Sequence, residues 1–256
     1  MSQPSLAGPR LRLNRADEHL ESLYPAVQAY MSQAPYLIGE MEREGAWRVQ
    51  RIVIREHPDP SWALLVSEVV HHLRSALDYL VWQLVLLNGA EPYCRNQFPI
   101  YTKRAPRAGR LDAMLRGVHR DHRARIEDLQ PYLGGNHPLR SALAVLVDAS
   151  NVDKHRSLHA AFGLVRAAEK PEVRFRDGSA PSQLAIRHHY GPLEHGGIVA
   201  SYRYASKGEA HVEVNGQFPI EIVFGEQELG GATIEELRRS VVNVVEGFAA
   251  DFPSVT

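Results

Sequence analysis

The spacing of apolar residues changes once along this chain, from a helical repeat to a strand-like alternation. Residues 61–88 have apolar side chains three or four positions apart, and Gly89, a residue frequently found after a helix end, follows them. Over residues 173–224 apolar and polar residues alternate instead, and Asn215-Gly216 is typical of a tight turn. The change predicts an α+β fold with a mainly helical core and a C-terminal antiparallel sheet.

Further patterns complete the predicted fold. Residues 36–44 and 47–56 alternate on either side of Gly45, which indicates an N-terminal β-hairpin. Thr233 and Glu236 have the spacing of a capping box and begin a closing helix, and helical spacing also covers residues 15–32, 108–117, 121–129 and 138–159. We expect one domain over residues 1–256, with a helical core at 14–160 that contains the hairpin 36–56, and the sheet with the C-terminal helix at 161–256.

The composition is that of an ordinary globular protein. Hydrophobic residues make up 44% and charged residues 23% of 256 residues, which excludes a disordered or fibrous chain. The formal charge of -1 gives no overall field that would attract nucleic acid or an anionic membrane. Cys94 is the single cysteine, and no apolar stretch is long enough for a signal peptide or a membrane span. We therefore expect a cytoplasmic protein without a membrane partner.

The helix predicted over residues 61–88 carries a polar stripe. Ser67, His71, Arg74 and Asp78 lie on one side of the helical wheel, away from the leucines. The simplest interpretation is an ion pair between Arg74 and Asp78 at i,i+4 spacing. The alternative is that this stripe forms one half of an active site, and Trp82, on the same line, indicates that another element covers part of it.

The helix predicted over residues 138–159 carries a second stripe. Asp148, Asn151, His155 and His159 share a face, with Lys154 at its border. A carboxylate, an amide, two imidazoles and an ammonium suit proton transfer or phosphate binding, although cations in a last turn also simply stabilise a helix. The candidate catalytic residues of the two stripes are Arg74, Asp78, Asn151, Lys154 and His155.

Histidine spacing leaves a metal-dependent hydrolase as one alternative. His155 and His159 are four residues apart and could present two nitrogens to a metal ion. The residues between them lack the glutamate of the zinc-protease pattern, and the chain has neither a glycine-rich phosphate loop nor a serine in a nucleophile elbow. We therefore predict no bound metal and no cofactor.

Four runs of the sequence resemble a group of uncharacterised bacterial and phage-associated proteins. They are LRSALDYLVWQL at 73–84, QFPI at 97–100, LQPY at 129–132 and SNVDKHR at 150–156. The likeness extends over residues 62–159. It implies no particular activity, because no established function is known to us for that group.

A helical core in which an Arg/Asp helix faces an Asn/Lys/His helix is also remotely similar to the HEPN superfamily, which includes metal-independent ribonucleases and inactive, dimer-forming relatives. This similarity implies that His155 acts as acid and base on the RNA 2′-hydroxyl and that Arg74 or Lys154 stabilises the transition state. The superfamily's motif, an arginine and a polar residue followed after four to six residues by a histidine, is matched formally at Arg187-His188 and His195, in the predicted sheet.

Our leading interpretation is a bacterial binding or interaction protein, linked to mobile elements or defence, for which we consider a homodimer. The first alternative is a HEPN-like, metal-independent ribonuclease, whose partner would be RNA. The second is a metal-dependent hydrolase. The ribonuclease would require the two stripes to face one another across an open cleft.

Overall fold

The computed structural model describes residues 3–103, 108–134, 141–155, 159–164, 172–175, 182–189, 191–205, 212–215, 220–225 and 229–253. Helices and antiparallel strands in these ranges confirm the predicted α+β fold. Two compact units are present, and each is assembled from segments that are far apart in the sequence. The helical unit comprises Met1–Tyr24, Leu64–Leu158 and Ala232–Thr256, and the sheet unit comprises Pro25–Ala63 and His159–Gly231.

The helices lie close to their predicted positions. Their bounds are Ala7–Ser32 (α1), Ser61–Leu87 (α2), Ala108–Met114 (α3), Arg120–Asp128 (α4), Ala142–His155 (α5) and Gly231–Glu246 (α6). Helix α1 begins before the predicted residue 15, because Leu13 continues its buried face. Helix α5 ends at His155, so the prediction that His159 lies on the same helical face is wrong. His159 precedes a strand, and its carbonyl accepts a hydrogen bond from the Gly225 backbone at 3.0 Å.

Helix α2 is the centre of the helical unit. Its leucines at 73, 77, 80 and 84 have no exposed surface. Helix α1 runs antiparallel to it, because residues early in α1 meet residues late in α2. The contacts that establish this order are Ser5–Gln83, Arg12–Tyr79 and His19–Glu68. Helix α6 lies antiparallel to α1 in the same way, through the pairs Arg10–Glu246 and Asp17–Arg238.

The described residues of the sheet unit form three antiparallel sheets. Its strands are Tyr36–Ile38 (β1), Glu42–Glu44 (β2), Trp47–Ile54 (β3), Ala160–Leu164 (β4), Glu172–Phe175 (β5), Ser182–His188 (β6), Gly191–Leu193 (β7), Ile198–Ala205 (β8), Val212–Asn215 (β9) and Ile220–Phe224 (β10). The largest sheet has the order β1-β3-β8-β6, with β2 also paired to β3. The others are β10-β4-β7 and β5-β9. Strand β4 lies at the start of the sheet region predicted at 161–256, ahead of the alternating pattern at 173–224.

The predicted hairpin over 36–56 is present, with both β1 and β2 paired to β3. Strand β3 also pairs with β8, where Val49 lies opposite Ser201, so the hairpin belongs to the sheet unit. The closing helix α6 belongs to the helical unit. The predicted single domain, with its division at residue 160, stays a prediction. Within the described residues, no helix combines the length and the apolarity that crossing a membrane requires.

Candidate functional site

Arg74 and Asp78 hold the backbone of Phe98. Arg74 Nη2 donates to Asp78 Oδ1 at 2.9 Å and to the Phe98 carbonyl at 2.7 Å, and the Phe98 N–H donates to the same Asp78 oxygen at 2.8 Å. The predicted i,i+4 ion pair is therefore confirmed. Phe98 is completely buried in a segment that belongs to no strand, so these two side chains supply the hydrogen bonds that a sheet would otherwise give.

Gln130 completes this arrangement a few residues further along the segment. Its side chain, in a residue only 2% exposed, accepts from the Tyr101 N–H at 3.0 Å and donates to the Pro99 carbonyl at 2.8 Å. Its amide nitrogen also donates to the Ile126 carbonyl at 3.0 Å, which ties the segment to α4. Residues from three of the sequence runs named above, at 73–84, 97–100 and 129–132, meet here. They form a buried polar network that stabilises the helical unit.

The accessibility of Arg74 bears on its predicted catalytic role. Its side chain is 12% exposed, against 33% for Asp78. Arg74 Nη1 is buried and meets no hydrogen-bond partner in the part of the chain that the structure describes. Asp78 makes a further interaction beyond those with Arg74 and Phe98. The observed geometry is that of a structural clamp, and the catalytic role of both residues stays a prediction.

The second predicted stripe lies on α5. Asp148 and Asn151 are exposed there, whereas the neighbouring Ser150 is buried. Lys154 and His155 belong to the last turn of α5, but their side chains lie outside the described residues. The convergence of Asn151, Lys154 and His155 with Arg74 and Asp78 therefore also stays a prediction.

Three histidines gather where α1 packs on α2. The rings of His19 and His72 are stacked with centroids 5.6 Å apart, and His71 meets His72 edge-on at 5.5 Å. Burial lowers the pKa of His72, and the nearby His71 and Arg12 lower it further. Sequence spacing identified His71 but not His19, because only the antiparallel packing of the two helices brings α1 to this place.

The histidine cluster is not arranged as a metal centre. His19 Nε2 lies 3.3 Å from a Glu68 oxygen, while His71 Nε2 lies 3.5 Å from the Ser75 hydroxyl. Over the ranges that the structure covers, no three His, Cys, Asp or Glu side chains come together in a way that could hold a metal ion. The described part of the chain thus offers no support for the metal-dependent alternative.

A different set of residues forms a cationic surface on the largest sheet. The guanidinium carbons of Arg187 (β6) and Arg203 (β8) lie 4.2 and 5.0 Å from the centre of the Trp47 ring (β3). Both arginines are exposed, and no carboxylate of the described residues forms an ion pair with either of them. We call these three side chains the arginine–tryptophan surface. Its guanidiniums are held in place by stacking while their N–H groups stay available.

One polar pair, Ser201 and His189, lies beside this surface, next to the buried Val49. Ser201 lies opposite Arg187 in the register of β8 and β6. Its hydroxyl is 3.1 Å from His189 Nε2, and the residue is only 6% exposed. The sequence marked Arg187 only as part of a formal motif match, and no local pattern connects it to Trp47. Trp47 and Arg187 meet only because β3 and β6 both pair with β8.

The whole five-stranded sheet is positively charged, like the arginine–tryptophan surface. Its five strands contain five arginines and two acidic residues, Glu42 and Glu44. Both glutamates contact Arg51, at 3.4 Å in the case of Glu42. A further arginine, Arg48, lies over the ring of Tyr204 at 5.2 Å. Because Arg48 directly follows Trp47 in β3, this second pair lies on the opposite face.

Comparison of the chain with protein-family models, with curated proteins and with solved structures found no match.

Proposed function

We propose that this protein is a binding protein whose arginine–tryptophan surface binds the phosphodiester backbone of single-stranded nucleic acid. The observation that carries the proposal is the position of two exposed guanidiniums on one indole ring without a described carboxylate partner. Two like charges placed so close together repel each other, and a bound anion would relieve that repulsion. Stacked guanidiniums can donate paired hydrogen bonds to phosphate oxygens.

The sheet also favours a single strand over a duplex. Two guanidiniums already stack on the Trp47 ring, so an unstacked base would stack on the exposed planes of Arg187 and Arg203. A base-paired duplex does not offer its bases in this way. The proposal requires only a local patch, so it agrees with the formal net charge of -1 for the whole chain.

The test is binding of a fluorescently labelled single-stranded oligouridylate, followed by anisotropy at several salt concentrations. The double variant Arg187→Gln/Arg203→Gln should weaken binding by roughly tenfold or more and reduce the slope of log affinity against log salt by about 1.4, since each phosphate contact on a single strand contributes about 0.7. The matched control is Arg110→Gln/Arg239→Gln, which removes the same charge from exposed positions of α3 and α6.

Two results would contradict the proposal. One is equal affinity of the wild type and the Arg187→Gln/Arg203→Gln variant for the oligonucleotide. The other is binding of a polyglutamate peptide at least as tightly as the oligonucleotide, which would indicate general carboxylate recognition. Circular dichroism of each variant would verify that the sheet is intact.

A further inference from the structure

A cavity of about 580 Å³ opens at the C-terminal end of α2. Trp82, Gln83 and Leu86 line it from the helix, and Ala90, Glu91 and Pro92 line it from the segment that follows. Trp82 is 43% exposed, although its neighbours Val81 and Leu84 are completely buried. A large indole therefore faces the cavity in a helix whose other large apolar side chains mostly face the core.

The electrostatic character of the cavity is negative. Glu91 is the charged residue among the described side chains that line it. Helix α2 ends beside it after 27 residues and has no basic residue in its last turn, so nothing in that turn offsets the partial negative charge of a helix C-terminus. Gln83 adds no positive charge, and its side-chain oxygen already accepts from the Ser5 N–H at 2.9 Å.

Two tyrosines near Trp82 in the sequence each carry a stacked arginine side chain. Arg12 lies over the ring of Tyr79 at 5.0 Å, and Arg116 lies over the ring of Tyr93 at 5.3 Å. Trp82 lies between these tyrosines in the sequence, and no arginine or lysine of the described residues stacks on it. Indole attracts cations more strongly than phenol does.

We propose that this cavity binds an organic cation through an alkylammonium group, with Trp82 contacting the cation and Glu91 balancing its charge. The apolar side chains of Leu86 and Pro92 would contact the carbon atoms of the ligand. An anion is disfavoured by Glu91 and by the helix end, and a neutral ligand would gain nothing from either. This site lies in the helical unit, so it is independent of the nucleic-acid proposal for the sheet.

The experiment is a titration followed by the indole N–H signals in two-dimensional ¹H–¹⁵N NMR, since the chain has only 3 tryptophans and each gives one signal. Single Trp→Phe variants assign these signals. Choline represents a free small-molecule cation, Nα-acetyl-lysine amide represents a lysine side chain of a peptide, and tert-butanol is the neutral control. We expect the Trp82 signal to move in a saturable way with one of the two cations. The cation that binds more tightly identifies the source of the alkylammonium group.

The role of Glu91 is tested in the same titration. Glu91→Gln should weaken cation binding by roughly threefold, as expected for a solvent-exposed charge contact. Glu236→Gln, which removes an exposed carboxylate from α6, should leave the affinity unchanged. The proposal is overturned if neither cation moves the Trp82 signal, if tert-butanol moves it equally, or if Glu91→Gln binds as tightly as the wild type.

Discussion

Asp78 Oδ1 lies 2.8 Å from the backbone nitrogen of Phe98, so a side chain of the central helix takes the place of a neighbouring strand. The same oxygen also accepts from Arg74. The three groups form a closed set of hydrogen bonds around one residue of an otherwise irregular segment. Removing Asp78 takes away an acceptor that both Arg74 and the Phe98 N–H use.

Asp78→Ala should therefore lower the free energy of unfolding by about 2–4 kcal/mol, because it leaves a buried guanidinium and a backbone N–H without their acceptor. Urea denaturation followed by circular dichroism measures the change. The control is Asp121→Ala in α4, where the side chain is 71% exposed and we expect a change within about 0.5 kcal/mol. A loss for Asp78→Ala as small as that of the control would show that the clamp does not stabilise the fold.

Gln130→Met should destabilise the protein by about 2–4 kcal/mol, although it preserves the length of the side chain. Methionine offers no hydrogen bonds of the required kind to the backbones of Pro99, Tyr101 and Ile126, and leaving buried polar groups unsatisfied is costly. Thermal or urea unfolding checks this. The same change at the exposed Gln33 is the control, and equal stabilities of the two variants would refute the role assigned to Gln130.

Stability should fall as the solution becomes acidic, in part because of His72. Since burial lowers the pKa of His72, the folded state holds fewer protons than the unfolded state, whose histidines titrate at about 6.5. The stability that depends on a neutral His72 is therefore present above about pH 6.5. It is lost as the pH falls below that value towards the lower pKa that His72 has in the folded state. Urea denaturation at a series of pH values between about 5 and 8 measures the slope.

The matched variants for this pH effect are His72→Gln and His57→Gln. His72→Gln should reduce the dependence of stability on pH, whereas His57→Gln changes an exposed residue and should not. The reduction should be partial, because burial also lowers the pKa of His122. An unaltered slope in His72→Gln would mean that this histidine does not contribute.

The ribonuclease alternative makes a separate prediction. If it is correct, the protein cleaves RNA in the presence of a chelator, and His155→Ala reduces the rate by roughly a hundredfold or more, as expected for loss of a general acid–base group. Acting as a binding protein, the wild type should leave the RNA intact. Gel analysis of labelled RNA after incubation with the wild type and with His155→Ala distinguishes these outcomes, and chelator-resistant cleavage that requires His155 would favour the enzyme.

The sequence predicts the elements whose signals are local. Helix α2 and the hairpin around Gly45 follow from residue spacing and turn chemistry, and so does the Arg74–Asp78 pair. Contacts that depend on pairing between strands far apart in the sequence cannot be predicted from local residue spacing. His159 continues a helical pattern, yet it precedes β4, whose strand partners are formed by much later residues. In the same way Trp47 and Arg203 meet only because β3 pairs with β8.

The pairing of β3 with β8 also affects how the protein is made. About 150 residues separate the two strands, so at typical synthesis rates roughly 7–30 s pass before β8 exists. During this time the N-terminal hairpin must leave the ribosome with an unpaired edge, which is where nascent chains stick to one another. Arg48 and Arg51 place positive charges along this edge of β3, and charged side chains protect an exposed edge from aggregation. Arg48 and Arg51, two of the arginines that make this sheet cationic, would then also keep the unfinished chain from aggregating.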